Sequence, residues 1–142
     1  VVGRYVRELG GGVLYGHNSV GNERSQFGTE TAFPAVGLGA IARLDSNIAQ
    51  VAGEHAITEG LAPGTQLQHT YFDHWTIKRG PKGVAVLNDP GGDAIMVAGQ
   101  DKRGRVIYDG TIMLSQTNEP VAADGQWREV FLNAIRWLAQ RK

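Results

Sequence analysis

The chain has 142 residues, and its 14 Lys and Arg balance 14 Asp and Glu, so the formal net charge is zero. This length suits one domain with a core of its own, and the charge balance leaves no basic face for nucleic acid or anionic lipid. There is no cysteine, which excludes disulfides, thiolate metal sites and a cysteine nucleophile.

Apolar residues make up 42% of the chain, an ordinary share for a folded protein. No apolar run approaches the roughly 18 residues of a membrane-spanning helix. The 20 glycines are the outlier, about twice the usual ~7%. Most stand beside short apolar runs, where tight turns need them. The first seven residues lack both the pattern of a signal peptide and an initiator Met, so the chain is expected to begin inside something larger.

Val2, Tyr5, Val6 and Leu9 fall at helical spacing and Gly10-Gly11-Gly12 stops the pattern, which predicts a helix over 1–9. Residues 13–16 have the look of a buried parallel strand. A long polar stretch, 17–31, predicts a loop of the kind that more often carries function than not. A short helix entered through Pro34 is expected over 32–42, a strand over 48–52 and one helical turn over 55–61. Residues 67–78 alternate apolar and polar in strand fashion. Further strands are expected at 84–87, 94–98 and 105–108, separated by the turn signals Asn88-Asp89-Pro90-Gly91-Gly92 and Asp101-Lys102-Arg103-Gly104. An amphipathic helix over 126–140 closes the chain, with Trp127, Phe131, Ala134, Ile135 and Leu138 as its apolar stripe. Helix, strand and helix followed by hairpins predict an α/β domain. The expected form is a flavodoxin-like three-layer sandwich, its mainly parallel sheet extended by antiparallel strands and covered by helices on both faces.

Gly11-Gly12-Val13-Leu14-Tyr15-Gly16-His17-Asn18-Ser19 is a glycine-stopped helix, a short apolar strand and a sharp turn presenting one polar side chain. It resembles the nucleophile elbow of the class I glutamine amidotransferase-like superfamily, and within it the trehalose-utilisation (ThuA-like) branch. Three later stretches follow in the same order: Phe33-Pro34-Ala35-Val36-Gly37-Leu38-Gly39-Ala40, His55-Ala56-Ile57-Thr58-Glu59-Gly60-Leu61, and Gly104-Arg105-Val106-Ile107-Tyr108 with the final helix. Asn18 stands where that branch usually has Ser, and Tyr108-Asp109-Gly110-Thr111 lacks its Gly-His. Members of the branch begin with two further βα units. The resemblance therefore implies that 1–142 is the C-terminal two-thirds of a larger domain, in an oligomer or a longer chain.

The same resemblance implies a carbohydrate or carbohydrate-derived ligand and sugar-related chemistry, isomerisation or hydrolysis, with His17 in place of the amidotransferase cysteine. Glutaminase activity is excluded, because no thiolate exists to form the thioester. As a residue, a histidine at the C-terminal end of a parallel strand faces the crevice where open α/β sheets bind ligands, and its pKa suits acid/base work. The alternative is that the elbow only caps the next turn. Asn18 and Ser19 either orient a substrate hydroxyl or form an Asx-type turn. Ser19 has no evident general base. Asn22, Glu23 and Arg24 either line a pocket or are simply solvated.

His55 is expected to be structural. In a strand over 67–78, His69, Tyr71, Asp73 and Trp75 share one face and His74 takes the other. Asp73 and His74 are the further candidate ligand-binding residues, and Tyr71, Phe72 and Trp75 offer either a stacking face for a sugar ring or core packing. A set of His17, His69 and Asp73 is compatible with a divalent metal, but no metal-binding spacing enforces it, so neither metal nor cofactor is expected. The partners expected are a small molecule, which the resemblance implies is a sugar or sugar derivative, and no nucleic acid or membrane. A second reading, from a different class, is a non-catalytic module that mediates oligomerisation or positions a neighbouring domain.

Overall fold

A computed structural model describes residues 1–69, 73–112 and 125–139. In chain order they form α1 (Val2–Arg7), β1 (Gly12–Gly16), a 3-10 turn (His17–Ser19), β2 (Gly37–Leu44) and β3 (Ile48–Val51). A second 3-10 turn (Ala56–Thr58) follows, then β4 (Gln66–Gln68), β5 (His74–Arg79), β6 (Val84–Asn88), β7 (Ala94–Asp101), β8 (Gly104–Asp109) and α2 (Gly125–Ala139). No helix among them is long and apolar enough to cross a membrane.

The main sheet has six strands in the order β1-β8-β7-β6-β3-β4. β1 runs parallel to β8, with Leu14 beside Ile107 and Gly16 beside Asp109. Every other pair in it is antiparallel. The expected flavodoxin-like sandwich is therefore not formed, and the architecture is mostly β, with only two α-helices among the described residues. Connection length gives the reason. Residues 89–93 and 102–103 join β6 to β7 and β7 to β8, and such short links make hairpins, since a parallel crossover takes a dozen residues or more.

Alternation along the strands sends side chains to two cores. Leu14, Ala98 and Ile107 face α2, where Trp127, Val130 and Ala134 meet Ile57 of the second 3-10 turn. Val13, Tyr15, Val97, Val106 and Tyr108 face the other way, onto Val6, Phe33, Trp75 and Ile77. This second face is covered chiefly by a two-stranded ribbon of β2 against β5, with the short α1 at one end.

Two further expectations are corrected here. Residues 37–44, expected partly as helix, are strand β2. Its ladder with β5 is irregular between Gly37 and Ala42, where Gly39 has φ +112° and a Cβ would press on the Thr29 and Gly21 carbonyls. The alternating segment 67–78 is not one strand. β4 belongs to the main sheet and β5 to the ribbon, so side chains before and after the break share no common parity. Tyr71 and Phe72 lie outside the described residues.

Candidate functional site

The site gathers where β1 ends and β5 begins. β1 terminates at Gly16, and His17 enters the 3-10 turn with φ +43°, a left-handed conformation uncommon for any residue but glycine. On the other side, Gly110 lets the chain leaving β8 cross tightly over β5. Its carbonyl accepts from Trp75 N at 3.0 Å, and a Cβ there would overlap the Trp75 carbonyl oxygen. This crossing fixes the start of β5, and with it Asp73.

Asp73 is the centre of the group. Its Oδ1 lies 3.4 Å from His17 Nε2, and its Oδ2 is held by Nε and Nη2 of Arg43. The carboxylate is almost wholly buried, whereas the Arg43 side chain is 41% exposed. Among the described residues neither His17 Nε2 nor Asp73 Oδ1 makes a well-aligned hydrogen bond, so they face one another as an unclosed pair. Burial lowers the His17 pKa below the ordinary histidine value, Asp73 draws it back up, and Arg43 and Arg24 lower it further. The ring is thus set toward its neutral form near pH 7.

Behind this pair lie two more histidines. His69 Nε2 and His74 Nδ1 meet at 3.1 Å, with both residues buried. His69 also packs against the Trp127 indole, with ring centroids 5.7 Å apart. Burial pushes the His69 pKa down to about 4, assisted by the His74 and His17 charges and opposed by Asp73. His74 is lowered by burial too, against the pull of Asp89, Asp73 and the Ser46 backbone. Two neutral imidazoles in contact need one to donate and the other to accept.

The structure distributes the sequence candidates unevenly. His17 and Asp73 come together, and His74 stands just behind them in contact with His69 rather than on an opposite face. Asn18 is tied down, its Oδ1 accepting from Trp75 Nε1 at 3.2 Å and its carbonyl accepting from Asn22 Nδ2 at 3.2 Å. Ser19 closes the 3-10 turn half-buried. Asn22 is buried and shapes its own loop, accepting from Arg24 N at 2.8 Å. The Trp75 ring is in the core and offers no open stacking face. His55 is structural, its Nδ1 accepting from Ile57 N at 3.1 Å while its ring lies against Trp137. Among the described residues no three His, Asp or Glu side chains converge as a metal site.

Two residues were missed at the sequence level. Arg43 carried no signal, because it lies just beyond a segment expected as helix and is an ordinary lone cation in the sequence. Asp109, at the C-terminal end of β8 beside Gly16, is completely buried and held by Thr111 N at 3.1 Å and Thr111 Oγ1 at 2.8 Å. Burial raises its pKa to about 7 against those hydrogen bonds. The Tyr108-Asp109-Gly110-Thr111 run read only as the absence of a family motif.

No protein-family model matches this sequence, and neither does any curated protein sequence. Solved structures similar to it include two from Salmonella typhimurium. One is the Cytoplasmic Protein STM3548 from Salmonella typhimurium, with a TM-score of 0.72 and 16% identity over 99% of this chain and 59% of that one. The other is the Cytoplasmic Protein STM1381 from Salmonella typhimurium LT2, with a TM-score of 0.64 and 17% identity over 94% of this chain and 57% of that one. The chain therefore spans less than two thirds of the length of either, and the likeness at this identity is one of fold.

Proposed function

We propose that this domain binds a neutral, carbohydrate-derived ligand at the end of β1 and acts on it by proton transfer through His17. The observation that carries this reading is the His17–Asp73 pair. A half-buried imidazole in a left-handed backbone conformation faces a buried carboxylate at 3.4 Å, and the two facing atoms have no better partner among the described residues. A strained residue at a strand end, set against a charge of opposite sign, is a common arrangement for acid/base chemistry. The neutral form of His17 suits a base. Arg43 and Asp73 cancel in charge, which suits a hydroxylated ligand without net charge. The resemblance of residues 11–19 to the ThuA-like elbow supports the same ligand class and a place within a larger amidotransferase-like domain without glutaminase activity.

A panel of monosaccharides, disaccharides and their keto and lactone derivatives, screened by ligand-observed NMR and for turnover, tests it. His17→Gln is expected to reduce turnover by at least 100-fold on any compound that is converted, in line with the usual worth of a general acid/base. Unchanged binding and turnover in that variant would overturn the reading.

A second reading, a non-catalytic module for association, is favoured by one feature of the surface. Val2, Tyr5 and Leu9 of the α1 region are 44%, 49% and 65% exposed, while only Val6 is buried beneath them. Tyr5 packs over Gly11, just before β1, which is an edge strand among the described residues. An apolar face beside an open edge is a surface suited to association. Concentration-dependent light scattering that Tyr5→Lys abolishes, together with a sugar screen that finds nothing, would establish it in place of the first.

A further inference from the structure

We propose that Arg43 is a positioning residue that fixes which nitrogen of His17 does the chemistry: its grip on Asp73 Oδ2 turns Oδ1 toward Nε2, so that Nε2 carries the proton and Nδ1 is the base. The proposal rests on the reading of His17 as an acid/base group and adds the atom and the residue that selects it.

The geometry is specific. In the ribbon, Arg43 pairs with Trp75, two residues beyond Asp73. From there its guanidinium reaches back with Nε and Nη2 onto a single carboxylate oxygen. An oxygen that accepts from a guanidinium at two points cannot swing to another donor, so the carboxylate plane is set and the second oxygen is committed to its direction. That second oxygen is Oδ1, at 3.4 Å from His17 Nε2. A carboxylate is an acceptor only, so a neutral His17 facing it holds its proton on Nε2. The lone pair then resides on Nδ1, which makes no hydrogen bond among the described residues.

The charged and titratable groups that act on His17 come from several elements: Asp73 before β5, Arg43 from β2, Arg24 from the loop after the turn, and His69 after β4. Arg24 and Arg43 both disfavour a protonated His17, but only Arg43 touches Asp73. This difference separates positioning from charge alone.

The test is the imidazole 15N spectrum of the whole chain, with the His17 signals assigned by their loss in His17→Gln. The wild type is expected to show the Nε2–H tautomer. Arg43→Gln is expected to mix the two tautomers and to move the His17 midpoint upward. Arg24→Gln is expected to move the midpoint upward and leave the tautomer alone. Arg43→Lys, which keeps the charge at this part-exposed position, is expected to mix the tautomers with a smaller change of midpoint, and it carries the test if Arg43→Gln does not fold. An Nδ1–H tautomer in the wild type, or an unchanged tautomer in both Arg43 variants, would overturn the proposal. Neither result bears on whether His17→Gln loses turnover, so the two readings fail separately.

Discussion

His69 Nε2 stands 3.1 Å from His74 Nδ1 with both residues out of contact with water, although β4 and β5 lie in different sheets. A histidine kept neutral in this way binds fewer protons folded than unfolded. Its folded pKa is about 4 against an unfolded 6.5, so its contribution to stability is complete above pH 6.5 and is lost as pH falls toward 4. The size is on the order of 3 kcal/mol.

Asp109 acts in the opposite sense. Its folded pKa is about 7 against an unfolded 3.8, so the folded state holds a proton that the unfolded chain has released. Stability from this group is complete below pH 3.8 and declines until about pH 7, again by several kcal/mol in order of magnitude. The two groups therefore oppose each other across nearly the same range.

Urea unfolding between pH 4 and pH 7 separates them. Asp109→Asn, which keeps one acceptor for Thr111, is expected to unmask a stability that rises with pH. His69→Asn is expected to unmask one that falls with pH, at a lower stability overall because an aromatic contact to Trp127 is lost. Slopes of the same sign in the two variants would contradict both assignments.

The left-handed backbone of His17 predicts a difference between two truncations. His17→Gly and His17→Ala remove the same ring, but alanine must hold φ near +43° against its Cβ. The glycine variant is expected to be the more stable by about 1 kcal/mol, as read from thermal midpoints. Equal midpoints would mean that the turn relaxes freely and stores no strain.

Gly110 predicts a larger effect away from any reactive group. Gly110→Ala drives a methyl into the Trp75 backbone carbonyl at the crossing that fixes the start of β5. A loss of about 3 kcal/mol is expected, at the upper end of overpacking costs, with a shift of the His17 imidazole resonances because Asp73 moves with β5. A variant as stable as the wild type would show that the crossing is looser than its geometry implies.

Local signals in the sequence were sound wherever an element's own residues decide it. Apolar runs bounded by glycine or by Asn-Asp-Pro-Gly-Gly located β1, β3, β6, β7 and β8 to within a few residues, and the Trp127, Phe131, Ala134 stripe located α2. Those patterns act through backbone conformation and the burial of adjacent side chains, which need no distant partner. The ribbon escaped notice because β2 is irregular at Gly39 and because its partner, β5, lies beyond two intervening strands.

The strand end at Gly16-His17 was thus determined by the sequence itself, as a glycine-bounded strand that ends on a lone histidine. What faces that histidine was decided only by the tertiary structure. Asp73 reaches it through the break between β4 and β5, and Arg43 reaches Asp73 through the pairing of β2 with β5. Strand parity within 67–78 predicted a different set, with His74 turned away from Asp73 and His69. Parity holds only along an unbroken strand, whereas contacts between sheets depend on how two layers pack, and no spacing along the chain encodes that.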